Sequence, residues 1–284
     1  MKSQKNKSYS RGAPIAVLGM SGVGKTRISS IMRAQAHWFH YSVDYRIGTR
    51  YLDEAIVDNF KREAMKAPLL REMLLSDSIY ISSNITFENL SPLSAYLGKP
   101  GDPKRGGIAF AEYLSRQRRH KEAERKAMLD TGSFIEKVKT IYGYEHFICD
   151  TSGSICEIVD PEDEHDAVLI ALARNCAIVY IEEDASHKEA LKARFDQAPK
   201  PMFYNEGFLI QVWEEYLAET GVDETQVDPD AFIRSGYARL IEWRAPRYRA
   251  IAKNWGCSIP AADIETVETA DDFLDLVDAA MAKD

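Results

Sequence analysis

Pro14-Ile15-Ala16-Val17-Leu18-Gly19-Met20-Ser21-Gly22-Val23-Gly24-Lys25-Thr26 is the stretch on which the rest of the chain turns. Its first five residues are a short apolar run that ends in glycine, which predicts a buried parallel strand. Gly19 to Thr26 then follow the pattern Gly-x-x-x-x-Gly-Lys-Thr. Beyond it, Ile28, Ile31 and Met32 recur at helical spacing and predict a helix from Lys25 to about Ala36. Glycines let a backbone curl until successive N–H groups converge on one point. The helix that follows adds its unpaired N-terminal N–H groups and the positive end of its dipole. A strand, a glycine loop and a helix in this order can hold a chain of phosphates, whereas a glycine turn without a ligand needs neither flank.

Gly19, Ser21, Gly22, Val23, Gly24, Lys25 and Thr26 are accordingly the expected nucleotide contacts of a P-loop (Walker A). Lys25 would reach the β- and γ-phosphates and the Thr26 hydroxyl would bind magnesium. The cofactors this implies are ATP and Mg2+. No Asn-Lys-x-Asp guanine motif occurs.

Four further strands are predicted: Trp38 to Val43, Glu145 to Cys149, Ala177 to Ile181 and, more weakly, Cys257 to Pro260. Helical patterns separate most of them. The expected fold class is α/β, a P-loop NTPase with a mostly parallel five-stranded sheet and helices on both faces. About a hundred residues separate the second and third strands, too many for one crossover helix. The gap holds a helical pattern from Asp53 to Leu75, a turn-rich loop from Leu97 to Gly107 and a charged helix from about Ala109 to Leu129. A largely helical cap or substrate region inserted at about 52–140 is therefore expected within a domain covering 13–284. At the C-terminus, Thr269 and Asp272 have capping-box-like spacing ahead of the apolar face Phe273, Leu276, Val277 and Ala280.

The net charge is −8 and the pI near 5.4, which argues against a protein whose main task is coating nucleic acid. The polar, basic residues 1–12 predict a disordered tail without a secretory h-region. No run reaches the roughly 20 apolar residues of a membrane span. Cys149, Cys156, Cys176 and Cys257 form no C-x-x-C pair and read as reduced, buried thiols. These features point to a cytoplasmic protein with no membrane partner.

Phe147-Ile148-Cys149-Asp150 is an apolar strand ending in a carboxylate, the arrangement in which Asp150 holds magnesium (the alternative is a helix-capping Asp). Thr151-Ser152-Gly153-Ser154 follows, with no Glu to activate water, which favours an attacking group supplied by a bound substrate. Gly153, between Ser152 and Ser154, would let that substrate approach the backbone. Asp44 is either a base for an acceptor hydroxyl or a turn cap at a strand end. Arg46 and Arg50 share a helical face, which is a clamp for an anion or a solvated surface beside Asp53 and Glu54. The Arg116–Lys126 charge run is a solvated face or a mobile cap that brings Arg to the γ-phosphate or recruits a polyanionic partner, and Tyr96, Tyr113, Tyr204, Trp213, Trp243 and Trp255 are core or line a pocket for a ring.

Four positions make the chain resemble the shikimate-kinase-type P-loop kinases within the nucleoside-monophosphate-kinase-like group. They are the P-loop, Ser42-Val43-Asp44, the lid-like Arg194 to Phe203 with Lys200-Pro201-Met202, and Arg244-Ala245-Pro246-Arg247-Tyr248-Arg249-Ala250-Ile251-Ala252. The whole chain also resembles uncharacterised bacterial P-loop proteins labelled ATPase. The kinase resemblance implies that Asp44 binds the acceptor hydroxyl as its base. It implies that Lys200, standing where an Arg is usual, stabilises charge during transfer, and that Arg244 contacts an acidic substrate. Ser42 departs from the family's first Asp, so magnesium ligation leans on Thr26 and Asp150. The insertion departs from it as well. Lys25, Asp44, Asp150 and Lys200 are thus the expected catalytic set, and Asp44, Arg50, Ser152, Gly153 and Arg244 the expected acceptor site. The expected function is transfer of the γ-phosphate of Mg-ATP to a hydroxyl or phosphate on a small, anionic acceptor. The alternative is a slow ATPase switch acting through a protein partner. A nucleic-acid-processing enzyme would need a basic groove that the composition does not supply.

Overall fold

The computed structural model describes residues 10–283. Five strands form one all-parallel sheet: β1 (Ile15–Leu18), β2 (Trp38–Ser42), β3 (His146–Asp150), β4 (Ala177–Glu182) and β5 (Cys257–Pro260), in the order β2-β3-β1-β4-β5. Every residue of β1 is fully buried, as a central parallel strand covered on both faces must be. The helices used below are α1 (Lys25–Ala36), α2 (Asp53–Ala64), α3 (Pro68–Leu75), α4 (Phe110–Leu129), α5 (Ala185–Gln197), α6 (Pro229–Trp255) and α7 (Ala270–Lys283). No helix among the described residues is long and apolar enough to cross a membrane.

The order of the strands decides where a ligand can bind. From β1 the chain moves outward to β2, returns to fill the gap with β3, and then continues on the other side of β1 with β4 and β5. The winding therefore reverses at β1. In open α/β sheets a crevice opens beyond the carboxyl ends of the strands at such a reversal. The glycine loop leaves β1 at that end. Register places Asp150, the last residue of β3, opposite Val17 on one side and Ser42 on the other.

The chain divides into two compact units. The first comprises residues up to Val43, Glu124–Pro199 and Arg234 onward, and it contains the sheet. The second comprises Asp44–Ala123 and Lys200–Ile233. The second unit overlaps the expected insertion at about 52–140 and also takes in the returning segment 200–233. Side chains that recognise backbone bind that segment. Gln117 donates to the Met202 carbonyl and accepts from the Tyr204 N–H, at 3.1 and 2.9 Å, while Lys99 pairs with Asp230 and Arg118 with Glu206. The single helical pattern expected over Asp53–Leu75 is two helices, α2 and α3. Pro68 lacks the N–H and the steric room to continue α2, so it opens α3 instead.

Residues 1–9 of the expected tail lie outside the described residues. Arg11 is fixed, pairing with Asp271, Asp275 and Asp278 on α7. The capping pair before α7 forms in both directions: Thr269 N–H donates to Asp272 Oδ2 at 2.8 Å and Asp272 N–H to Thr269 Oγ1 at 3.1 Å.

The four cysteines are buried free thiols. Burial pushes Cys149 and Cys156 above the ordinary thiol value of 9.0 and Cys176 up to about 12. A thiol whose folded pKa is raised contributes stability that is complete below the ordinary value and is lost as pH climbs toward the folded one. Denaturant unfolding midpoints should therefore fall as pH rises above about 9. At neutral pH a thiol reagent should modify the native protein only after unfolding. Fast modification of folded protein would contradict the burial.

Candidate functional site

The site is built where β1 and β3 end. Gly19 leaves β1 at φ 147°, and a Cβ there would lie 2.9 Å from the Ile181 carbonyl oxygen, so the backbone approach requires glycine. Gly22, at φ 98°, lies against the Arg194 guanidinium of α5, which a Cβ would overlap. Lys25, the first residue of α1, is buried, and its Nζ donates to the carbonyls of Gly19 and Met20 at 2.8 and 3.1 Å. Its charge is thereby held inside the curl of the loop.

Thr26 and Asp150 meet: Thr26 Oγ1 donates to Asp150 Oδ2 at 2.7 Å. The Nε2 of His40 on β2 stands 3.7 Å from the same oxygen. Hydroxyl and carboxylate thus converge at the tip of β1 and β3, an arrangement of hard oxygen donors that suits a magnesium ion. Curled glycine backbone, buried lysine and helix start fit a polyphosphate in the same way.

The loop after β3 backs onto the glycine loop. A Cβ on Gly153 would lie 3.1 Å from the Ser21 amide nitrogen. Ser152 and Ser154 are nearly fully buried, so their side chains point into the protein and only the half-buried Gly153 presents backbone outward.

Arg244 is 1% exposed. It forms a buried ion pair with Glu157, its Nε donating to Glu157 Oε1 at 2.6 Å, and its Nη1 donates to the Gly153 carbonyl at 2.6 Å. Burial works most strongly against its charge, but Glu157, Cys156 and Tyr248 together outweigh that cost and hold the guanidinium above its ordinary range. One turn on, the Tyr248 hydroxyl donates to the Gly19 carbonyl at 3.3 Å. Arg247 donates to the carbonyls of Cys156 and Val159 at 2.7 and 3.1 Å. This face of α6 fastens the backbone on which the site stands.

Asp44, Arg50 and Lys200 belong to the second unit. Asp44 is half-buried in the first turn of the short helix Val43–Arg46, and Arg50 and Lys200 are exposed. Tyr96, Tyr113, Tyr204, Trp213 and Trp255 are core, as expected, whereas Trp243 is half-buried with the Arg247 guanidinium 4.6 Å from its ring centre. The Arg116–Lys126 run is only partly a solvated face, because Arg116 is buried and donates to the Tyr96 carbonyl. In the sequence Arg194 stands out only as the start of a lid-like stretch, and Glu124 only as one charge among many on a basic helix. Compared with protein-family models and with curated proteins, the chain matches none.

Proposed function

We propose that the chain is an ATP-dependent small-molecule kinase whose Gly19–Thr26 loop binds Mg-ATP. The observation that carries this reading is the 2.7 Å contact between Thr26 Oγ1 and Asp150 Oδ2, which joins the two assigned magnesium ligands from positions 124 apart in the sequence. The reversal of winding at β1 and the glycine-only approach of Gly19 to Ile181 support it further.

Bound Mg-ATP would supply the transferable phosphoryl group. Phosphoryl transfer asks a protein mainly for positioning and electrostatic stabilisation. Lys25 holds a cation within the loop, and Arg194 lays a second one over Gly22. Thr26 and Asp150 orient the oxygens that face the metal. The Gly153 backbone offers a wall to an acceptor that carries a hydroxyl or a phosphate, and the kinase resemblance supports Asp44 as the base, Arg50 as an acceptor contact and Lys200 as a stabiliser of charge during transfer. Arg244 serves by holding that wall in place, since its guanidinium is already spent on Glu157 and the Gly153 carbonyl.

The test is ATP consumption with and without a panel of hydroxyl- and phosphate-bearing metabolites. Strong stimulation by one acceptor, with recovery of its phosphorylated form, is expected. Acceptor-independent turnover that responds to a protein partner would instead favour the slow ATPase switch.

A further inference from the structure

The segment between β3 and the short helix Ile155–Ile158 is gripped residue by residue, by three different elements. Thr151 is bound to β1 through its N–H and its hydroxyl, which donate to the Val17 carbonyl at 3.2 and 2.9 Å. Gly153 is held from α6 through Arg244. Ser152 and Ser154 are held from α4: both hydroxyls donate to the Glu124 carboxylate, Ser152 to Oε1 in a short bond and Ser154 to Oε2 at 2.9 Å. Glu124 is fully buried.

A carboxylate at this place raises the question of whether it replaces the water-activating Glu missing after Asp150. Its surroundings speak against that role. A general base must reach the proton that it removes. Glu124 has no exposed surface, and each of its oxygens already accepts a proton donor. What it can do is fix the loop. With both hydroxyl protons committed to Glu124, Ser152 and Ser154 are locked in rotamer, and Gly153 between them is pressed toward the Ser21 amide nitrogen, where a Cβ would come within 3.1 Å.

We propose that Glu124 is a positioning residue of the nucleotide site, fixing the Ser152-Gly153-Ser154 loop as the rigid backing of the glycine loop. The proposal rests on the kinase reading, in that it assigns the supporting residue of the same phosphate cradle. Supporting partners hold groups that touch a ligand to within fractions of an ångström, and losing one weakens binding without abolishing it.

The experiment uses the full chain and Mg-ATP, with affinity measured by calorimetry in wild type, Lys25→Ala, Glu124→Ala, Glu124→Gln and Ser154→Ala. Amide hydrogen exchange is followed over residues 19–24 and 150–155. Glu124→Ala should weaken Mg-ATP binding roughly tenfold, the lower end of what losing such a support costs. Exchange should quicken over 150–155 and 19–24 and stay unchanged in β4 and β5. Glu124→Gln keeps a carbonyl acceptor and gains an amide donor for the second serine oxygen, so it should recover most of the affinity. Ser154→Ala removes one of the two grips and should fall between wild type and Glu124→Ala. If Glu124→Ala does not fold, Ser154→Ala carries the test. Wild-type affinity in Glu124→Ala and Ser154→Ala, or in Ser154→Ala alone where Glu124→Ala does not fold, beside a Lys25→Ala that has lost binding, would overturn the positioning role and leave the kinase reading standing. Faster exchange throughout the sheet would also overturn it, by making Glu124 a general stabiliser. A wild type that fails to bind would remove both.

Discussion

Lys25→Ala should cost roughly a hundredfold or more in affinity for Mg-ATP, because hydrogen bonds to a charged group contribute about 1.5–3 kcal/mol each. The lysine does two things that alanine cannot. It places a buried cation within the loop, and its Nζ ties together the Gly19 and Met20 carbonyls. The measurement is the rise in Tm with added Mg-ATP. A ligand at a hundred times its Kd stabilises the folded state by about 2.7 kcal/mol, so wild type should show a clear shift and the variant almost none. An equal shift in both would remove the glycine loop as the nucleotide site.

The second large effect concerns stability. Arg244→Ala strands Glu157 in a site where its side chain has no exposed surface. Removing one partner of a buried ion pair costs about 3–5 kcal/mol, because the remaining charge has neither water nor a counterion. In a chain of this size that lowers Tm on the order of 10 °C. Replacing both partners with apolar residues of similar volume, as in Arg244→Met with Glu157→Leu, should recover most of the loss, since the desolvation cost disappears along with the attraction. Denaturant unfolding of the three proteins checks this. If Arg244→Ala were as stable as wild type and had lost only acceptor affinity, Arg244 would be a substrate contact, as the kinase resemblance implies.

These two residues also mark how far the sequence could be read. The sheet was legible because buried parallel strands are written as unbroken apolar runs. All five were expected, and each differs from the observed strand by no more than a residue at either end; β2 ends at Ser42, one residue early, because Val43 already opens a helix. The Thr26–Asp150 pairing was legible because strand-end loops at a winding reversal must face one another. Arg244 was visible as part of a motif, but its partner Glu157 was not, since pairing across 87 residues leaves no local periodicity. Segment 200–233 was missed for the same reason: Gln117 holds it by backbone recognition, which has no compositional signature.

Glu124 did have a signal. Tyr113, Ala123, Ala127 and Met128 set the inward phase of α4, and Gln117, His120 and Glu124 fall on the same face. A charge-rich helix conceals such polar residues among those that face water. Phasing the apolar positions first would have exposed them.

The order of the strands also bears on how the chain reaches its native state. The central strand is the first of the five to be made, yet the Thr151 hydroxyl that bonds its Val17 carbonyl lies 134 residues downstream, and the edge strand β5 is the last of the five. Closing loops of that length before any pairing compensates for them is slow, and it leaves apolar edges unsatisfied in the meantime. Nascent chains that end before β5 should therefore be good chaperone clients, and refolding from denaturant should lose yield to aggregation as concentration rises.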